Sequence, residues 1–159
     1  MGNFFTLELL IRLITSFVCS IAFAIVFKIN KRHLLLDGLG GLITYFVYHA
    51  VFYFLSSAFG AAYISTLIAA LYAELLARIK RAPTSVFLIP AVIPTVPGSN
   101  LYYFMQNLLI SNTNEALAQL VTALGVALGI AGGTVTVSII FGTIADKIQA
   151  KGFIRRKNG

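Results

Sequence analysis

Apolar runs of bilayer length follow one another along this chain, divided by short basic or polar segments, and that succession fixes the class of fold open to it. About 20 apolar residues carry an α-helix across a hydrocarbon core, and runs of that order recur at about 5–27, 34–55, 61–77, 84–110 and 116–145. Backbone amides and carbonyls in lipid must be bonded within their own segment, so such runs become helices. The expected fold is an all-α integral membrane protein of about five transmembrane helices, forming one domain over residues 1–159. Hydrophobic residues make up 58% of the chain and charged ones 11%, with a mean hydropathy of +0.90, which leaves no length for an appended soluble domain. The formal charge of +7 does not point to nucleic acid, because the Lys and Arg residues lie between apolar runs rather than on a solvated face.

Those cations instead orient the chain. Lys28, Lys31 and Arg32 follow the first run; Arg78, Lys80 and Arg81 follow the third; Lys147, Lys151, Arg155, Arg156 and Lys157 follow the last. The turns between, 56–60 and 111–115, carry none. Positive charge collects on the cytoplasmic side of membrane proteins, so the N-terminus is expected outside and the C-terminus in the cytoplasm. Arg12 is the exception, near the opposite interface and at the i,i+4 spacing from Glu8 that lets the two meet on one helix face. The first run lacks the basic segment and small-residue cleavage site of a secretory signal and is expected to be retained. Met1, Gly2 and Thr6 fit the short myristoylation pattern, which is read as coincidence. The last run exceeds what one upright helix needs, so it should tilt, bend or project past the bilayer.

All four prolines lie between Pro83 and Pro97, in the run Pro83-Thr-Ser-Val-Phe-Leu-Ile-Pro90-Ala-Val-Ile-Pro94-Thr-Val-Pro97-Gly98-Ser99-Asn100. Each removes a backbone donor and clashes with the carbonyl four residues back. The fourth helix is therefore expected to break near Pro97-Gly98, with Ser99 or Asn100 capping the second half, Leu101 to Leu109. A break at membrane depth is tolerated where it lines a watery cavity or is covered by protein. Free amides at the start of the second half suit a carboxylate, and Tyr102, Tyr103, Gln106 and Asn107 follow on the next turns. The substrate-binding candidates are thus Pro94, Pro97, Gly98, Ser99, Asn100, Tyr102 and Gln106. The competing reading is a kinked helix that merely packs against its neighbours.

The stretch Ile93-Pro94-Thr95-Val96-Pro97-Gly98-Ser99-Asn100-Leu101-Tyr102 resembles the Pro-x-x-Pro-Gly-x-x-x-Tyr signature of the threonine/serine exporter family, and more narrowly its small-subunit half. Chain length, the basic loop after the first run, Gly38, Gly40 and Gly41, and the basic tail agree with it. The resemblance implies a secondary transporter in a bacterial cytoplasmic membrane that exports threonine and serine, or a dicarboxylate such as succinate. It also implies a larger membrane subunit as partner, beside the substrate and the lipid bilayer; copies of the chain itself are a further possible partner. An odd number of spans fused to a homologous half would invert one half against the other, the arrangement used for alternating access. The alternative function is a non-transporting structural or assembly subunit.

Other residues divide between roles. His49, in the second run, and Glu74, one turn before Arg78, are candidates for coupling or gating, against packing for His49 and a salt bridge for Glu74. Asp37 is expected to pair with a cation of the basic loop or to cap the second helix. Gly125, Gly129 and Gly133 repeat every four residues and make a smooth ridge for close helix packing, with a hinge at Gly132-Gly133 as the other option. Cys19 reads as a small packing residue. With no H-E-x-x-H, no G-x-S-x-G and no paired aspartates in the spans, no enzyme, metal or cofactor is expected.

Overall fold

The computed structural model describes residues 7–157, with side chains as far as Thr143. The described residues form helices α1 (Leu7–Val26), α2 (Leu34–Leu55), α3 (Ala58–Lys80), α4 (Thr84–Val92), α5 (Gly98–Leu109) and α6 (Thr113–Lys157), with one 3-10 turn, Ile93–Thr95, between α4 and α5. α1, α2, α3 and the stretch Thr113–Thr143 of α6 are each long and apolar enough to cross a membrane, and the bent pair α4–α5 makes a fifth if counted as one span. Among the described residues the secondary structure is thus all helical, with the apolar helices of a multi-pass membrane protein. Myristoylation at Met1, Gly2 and Thr6 and the side chains of the basic tail lie outside the described residues.

Non-glycine residues in the left-handed conformation end four of these helices or their turns: Lys28, Ser56, Arg81 and Ser111. At Ser56 the chain reverses and Ser57 caps α3, its hydroxyl accepting from the Gly60 amide at 3.3 Å. Arg81 stops α3 and Pro83 prevents its resumption, because the amide before a proline disfavours helix. α6 continues for 45 residues, about 68 Å at 1.5 Å per residue, so it projects beyond a bilayer.

Small side chains let these helices approach. The buried face of α3 is Ala61, Ala62, Ser65, Thr66, Ala69, Ala70, Ala73 and Ala77, an alanine-rich stripe at helical spacing. Gly129 and Gly133 of α6 lie on it: a Cβ at Gly129 would stand 2.7 Å from the Phe59 carbonyl, and one at Gly133 2.7 Å from the Tyr63 carbonyl. Contacts climb both helices in the same direction, Gly129 against Phe59 to Tyr63 and Gly133 against Tyr63 to Leu67, so α3 and α6 run parallel. Gly125 is further out, with Phe59 Cβ at 4.0 Å. The Tyr63 hydroxyl and Thr136 Oγ1 add a 3.0 Å hydrogen bond across the seam. On the other side α1 buries Ser16, Ser20 and Ala24, and Gly41 of α2 rests against Ser20.

The proline run bends the chain by 44° between Thr95 and Gly98. Pro90 sits inside α4. Pro94 opens the 3-10 turn, where the Val96 amide donates to the Ile93 carbonyl at 3.1 Å and Thr95 Oγ1 donates to the Val92 carbonyl at 2.7 Å. These tighter bonds and the threonine hydroxyl satisfy carbonyls that a regular helix would have bonded four residues on.

Candidate functional site

α1 and α2 each present a stripe of polar or aromatic residues at i, i+3, i+4 and i+7 spacing, which places its members on one helix face. On α1 these are Arg12, Thr15, Ser16 and Cys19; on α2, Tyr45, Tyr48, His49 and Phe52. Where the two helices pack beside the 3-10 turn they leave a cleft of about 320 Å³ lined by Arg12, Thr15, Ser16, Cys19, Tyr45 and Pro94. A second cleft of about 300 Å³, lined by Glu8, Leu9, Arg12, Tyr45, Tyr48, His49 and Phe52, shares Arg12 and Tyr45 with the first. Volumes of this order suit a small polar solute.

Arg12 is the cation common to both clefts, and its Nη1 donates a long hydrogen bond, 3.5 Å, to the Tyr45 hydroxyl. The spacing of Glu8 and Arg12 suggested an ion pair, but among the described residues the pair within 4.0 Å is Arg78 with Glu74. α2 brings Tyr45 to the level of Arg12, an acceptor that spacing along α1 could not reveal. The guanidinium keeps donors to spare, and its planar fork matches a carboxylate. Tyr45→Phe, which removes the hydroxyl and little else, is expected to weaken binding of a small carboxylate at this cleft about fivefold, the value of one ordinary hydrogen bond; titration of the purified protein with such a solute checks it.

The candidates from the proline motif divide. Pro94 lines the first cleft. Pro97 marks the bend, and Gly98 is the first residue of α5, with nothing near the position of a Cβ. Neither Ser99 nor Asn100 caps α5: Pro97 occupies the cap position without a side-chain bond, and Asn100 Nδ2 instead donates to Gln119 Oε1 of α6 at 2.9 Å. Helix α5 starts earlier than expected, which moves both residues inside its first turn. Ser99 and Gln106 are exposed, and Tyr102 is 65% exposed. α5 packs along α6, so its polar residues stand apart from the clefts.

His49 lines the second cleft. Glu74 does not reach either; it accepts from Thr84 Oγ1 at 3.1 Å and pairs with Arg78 at 4.0 Å, while Arg78 lies 4.9 Å over the Phe141 ring. That network ties α3 to α4 and α6 at the end carrying Lys80 and Arg81. Asp37 neither caps α2 nor pairs with a loop cation: it is wholly buried, and neither carboxylate oxygen has a hydrogen-bond partner among the described residues. Among those residues no group of three His, Cys, Asp or Glu gathers where a metal could bind.

With this geometry in place, comparison with known proteins is informative. The family model described as Threonine/Serine exporter, ThrE, matches residues 12–140, a stretch that takes in both clefts, the bend and the glycine ridge. No curated protein and no solved structure matches the chain.

Proposed function

The chain belongs to the threonine/serine exporter family, a family of transporters, and from that membership we propose that it is one membrane subunit of a secondary transporter that exports a small carboxylate-bearing solute. The solute is threonine or serine, or a dicarboxylate such as succinate. Arg12 carries this reading: a guanidinium on a membrane-spanning helix, at the junction of two solute-sized clefts and beside the Pro94 turn. Near the end of its span the guanidinium can reach the interface, and there it faces two clefts that a solute can enter. One carboxylate of the cargo binds Arg12 and Tyr45, and the hydroxyls of Thr15 and Ser16 are within the same cleft for the remaining polar groups.

The larger partner subunit belongs to the same proposal. Both clefts are open on one side, and Arg12 is exposed there, so a second protein wall is needed to shield the site from lipid. α4 and α5 form one span broken at Pro97-Gly98, the basic loops face the cytoplasm, and the protein resides in a bacterial inner membrane. The outward polar side chains of α5, Tyr102 and Gln106, favour a second role for that helix as a contact for the partner, which is how a purely structural subunit would use it.

Efflux of labelled threonine, serine and succinate from cells expressing this chain, its larger partner, or both separates the readings. Export is expected only with both. Equal export by the partner alone would make this chain an accessory, and replacement of Asn100, Tyr102 or Gln106 would then change assembly without changing selectivity.

A further inference from the structure

The mechanism above leaves unused the one wholly buried carboxylate among the described residues. We propose that Asp37 is a proton-binding site whose loading and release couple the export cycle to a proton gradient, an inference that rests on the transport reading of the chain.

Asp37 lies in the first turn of α2, 0% exposed, with both oxygens lacking a hydrogen-bond partner among the described residues. The helix start does not account for it. His33 takes the cap position without a side-chain bond, and the Asp37 amide already donates to the His33 carbonyl at 2.9 Å. One turn on, Gly40 and Gly41 share its face. A Cβ at Gly41 would overlap the Ser20 hydroxyl of α1, and one at Gly40 would stand 3.0 Å from both Ala91 of α4 and the Tyr72 ring of α3. Three helices therefore close over the seam at whose foot the carboxylate sits. Holding a charge there without partners is costly, and binding a proton removes the charge.

The titratable and charged groups around it are few. From α3, Tyr72 is within electrostatic reach of Asp37 and spends its hydrogen on the Leu36 carbonyl at 2.8 Å, one residue from Asp37. α4 carries no titratable residue. α1 carries Glu8, Arg12 and Cys19, all of which line the clefts. On the approach to α2, His33 lies one turn earlier with its ring edge-on to Phe87 at 5.3 Å, next to Lys31 and Arg32. A metal cation would require several converging oxygens, whereas a proton requires only the carboxylate. In the cycle the proton passes from water on one side of the membrane to a carboxylate oxygen of Asp37, and from there to water on the other side, with no other bond made or broken.

Everted vesicles from cells carrying the chain with its native partner test this in two modes, accumulation of labelled threonine, serine or succinate driven by an imposed pH gradient, and exchange of the same solutes at equal pH. Asp37→Asn is expected to lower gradient-driven accumulation about tenfold or more, within the span of ordinary coupling free energies, while exchange stays near wild type; Asp37→Glu should recover most of the accumulation. Unchanged gradient-driven accumulation in Asp37→Asn overturns the proposal, as does loss of both modes in Asp37→Asn and Asp37→Glu alike, which would make the carboxylate structural. Infrared difference spectra of the purified full chain, titrated through the neutral range, give a readout that needs no transport. A carboxylic-acid C=O band absent from Asp37→Asn is expected, and no such band in the wild type overturns the proton site. If the wild type exchanges none of the three solutes while the band is present, the transport reading fails and the proton site stands.

Discussion

Replacing Arg12 by alanine is expected to cut export of a carboxylate-bearing solute by about tenfold to a hundredfold, the loss of a charge-assisted hydrogen bond worth about 1.5–3 kcal/mol. The guanidinium stands at the junction of the two clefts with its hydrogen bond to Tyr45 at 3.5 Å, long enough to yield to a better acceptor. Arg12→Lys keeps the charge but not the fork, and is expected to fall between alanine and wild type. The defect should appear as a raised half-saturating concentration, since the interaction binds cargo rather than transforming it. Export at graded internal solute concentrations, normalised to the amount of protein in the membrane, measures it. Wild-type behaviour in Arg12→Ala would show that the anion is held elsewhere.

The second large effect is structural. Gly129→Val or Gly133→Val places a branched side chain where a single Cβ would already stand 2.7 Å from a backbone carbonyl of α3, with a further backbone nitrogen at 3.0 Å. Side chains can rotate away from an intruder, but a helix backbone cannot do so without moving as a whole. The expected cost is about 3 kcal/mol or more, the upper end of overpacking penalties, seen as a lowered unfolding midpoint in mixed micelles. Gly142→Ala, with nothing within 4 Å of its new methyl, should leave that midpoint where it is. Gly125→Ala, whose nearest neighbour is 4.0 Å away, should behave similarly, so the four-residue repeat Gly125, Gly129, Gly133 divides into one lenient and two stringent positions.

Those two classes mark what could and could not be read in advance. Helix positions were legible because apolar length and proline are local properties: the run at about 34–55 became Leu34–Leu55, and the proline run became a 3-10 turn with a 44° bend. α3 begins at Ala58 rather than at about 61 because Ser57 supplies a cap, and α6 runs on to Lys157 because charge alone does not stop a helix. The glycine spacing announced a ridge but not its partner, since nothing in α6 names α3. The clefts were hidden for the same reason. The polar stripe Arg12, Thr15, Ser16 and Cys19 was visible at helical spacing, yet only the packing of α1 on α2 shows that Tyr45 and Pro94 face it. The residues after Pro97, where free amides are expected, lie elsewhere: the early start of α5 and its packing along α6 turn Asn100 to Gln119 and leave Tyr102 outward. Asp37 departs from its expected pairing because its neighbours in sequence are cations, whereas in space α1, α3 and α4 close over its own helix at Gly40 and Gly41.

The parallel course of α3 and α6 has a bearing on parity. Two neighbouring helices that climb a layer in the same direction must be joined by something that travels back through its full depth; a segment that dipped in and returned to its starting face would leave the second helix antiparallel to the first. With α4–α5 taken as one span, as proposed above, that bent pair, turned by 44° rather than doubled back, makes this return. On that proposed count the passes are odd in number, and the outer ends of α1 and α6 belong to opposite faces of the layer. A partner that grips the start of α1 and a signal that arrives at the far end of α6 are then separated by the whole thickness of the layer, with the helices as the means of communication between them.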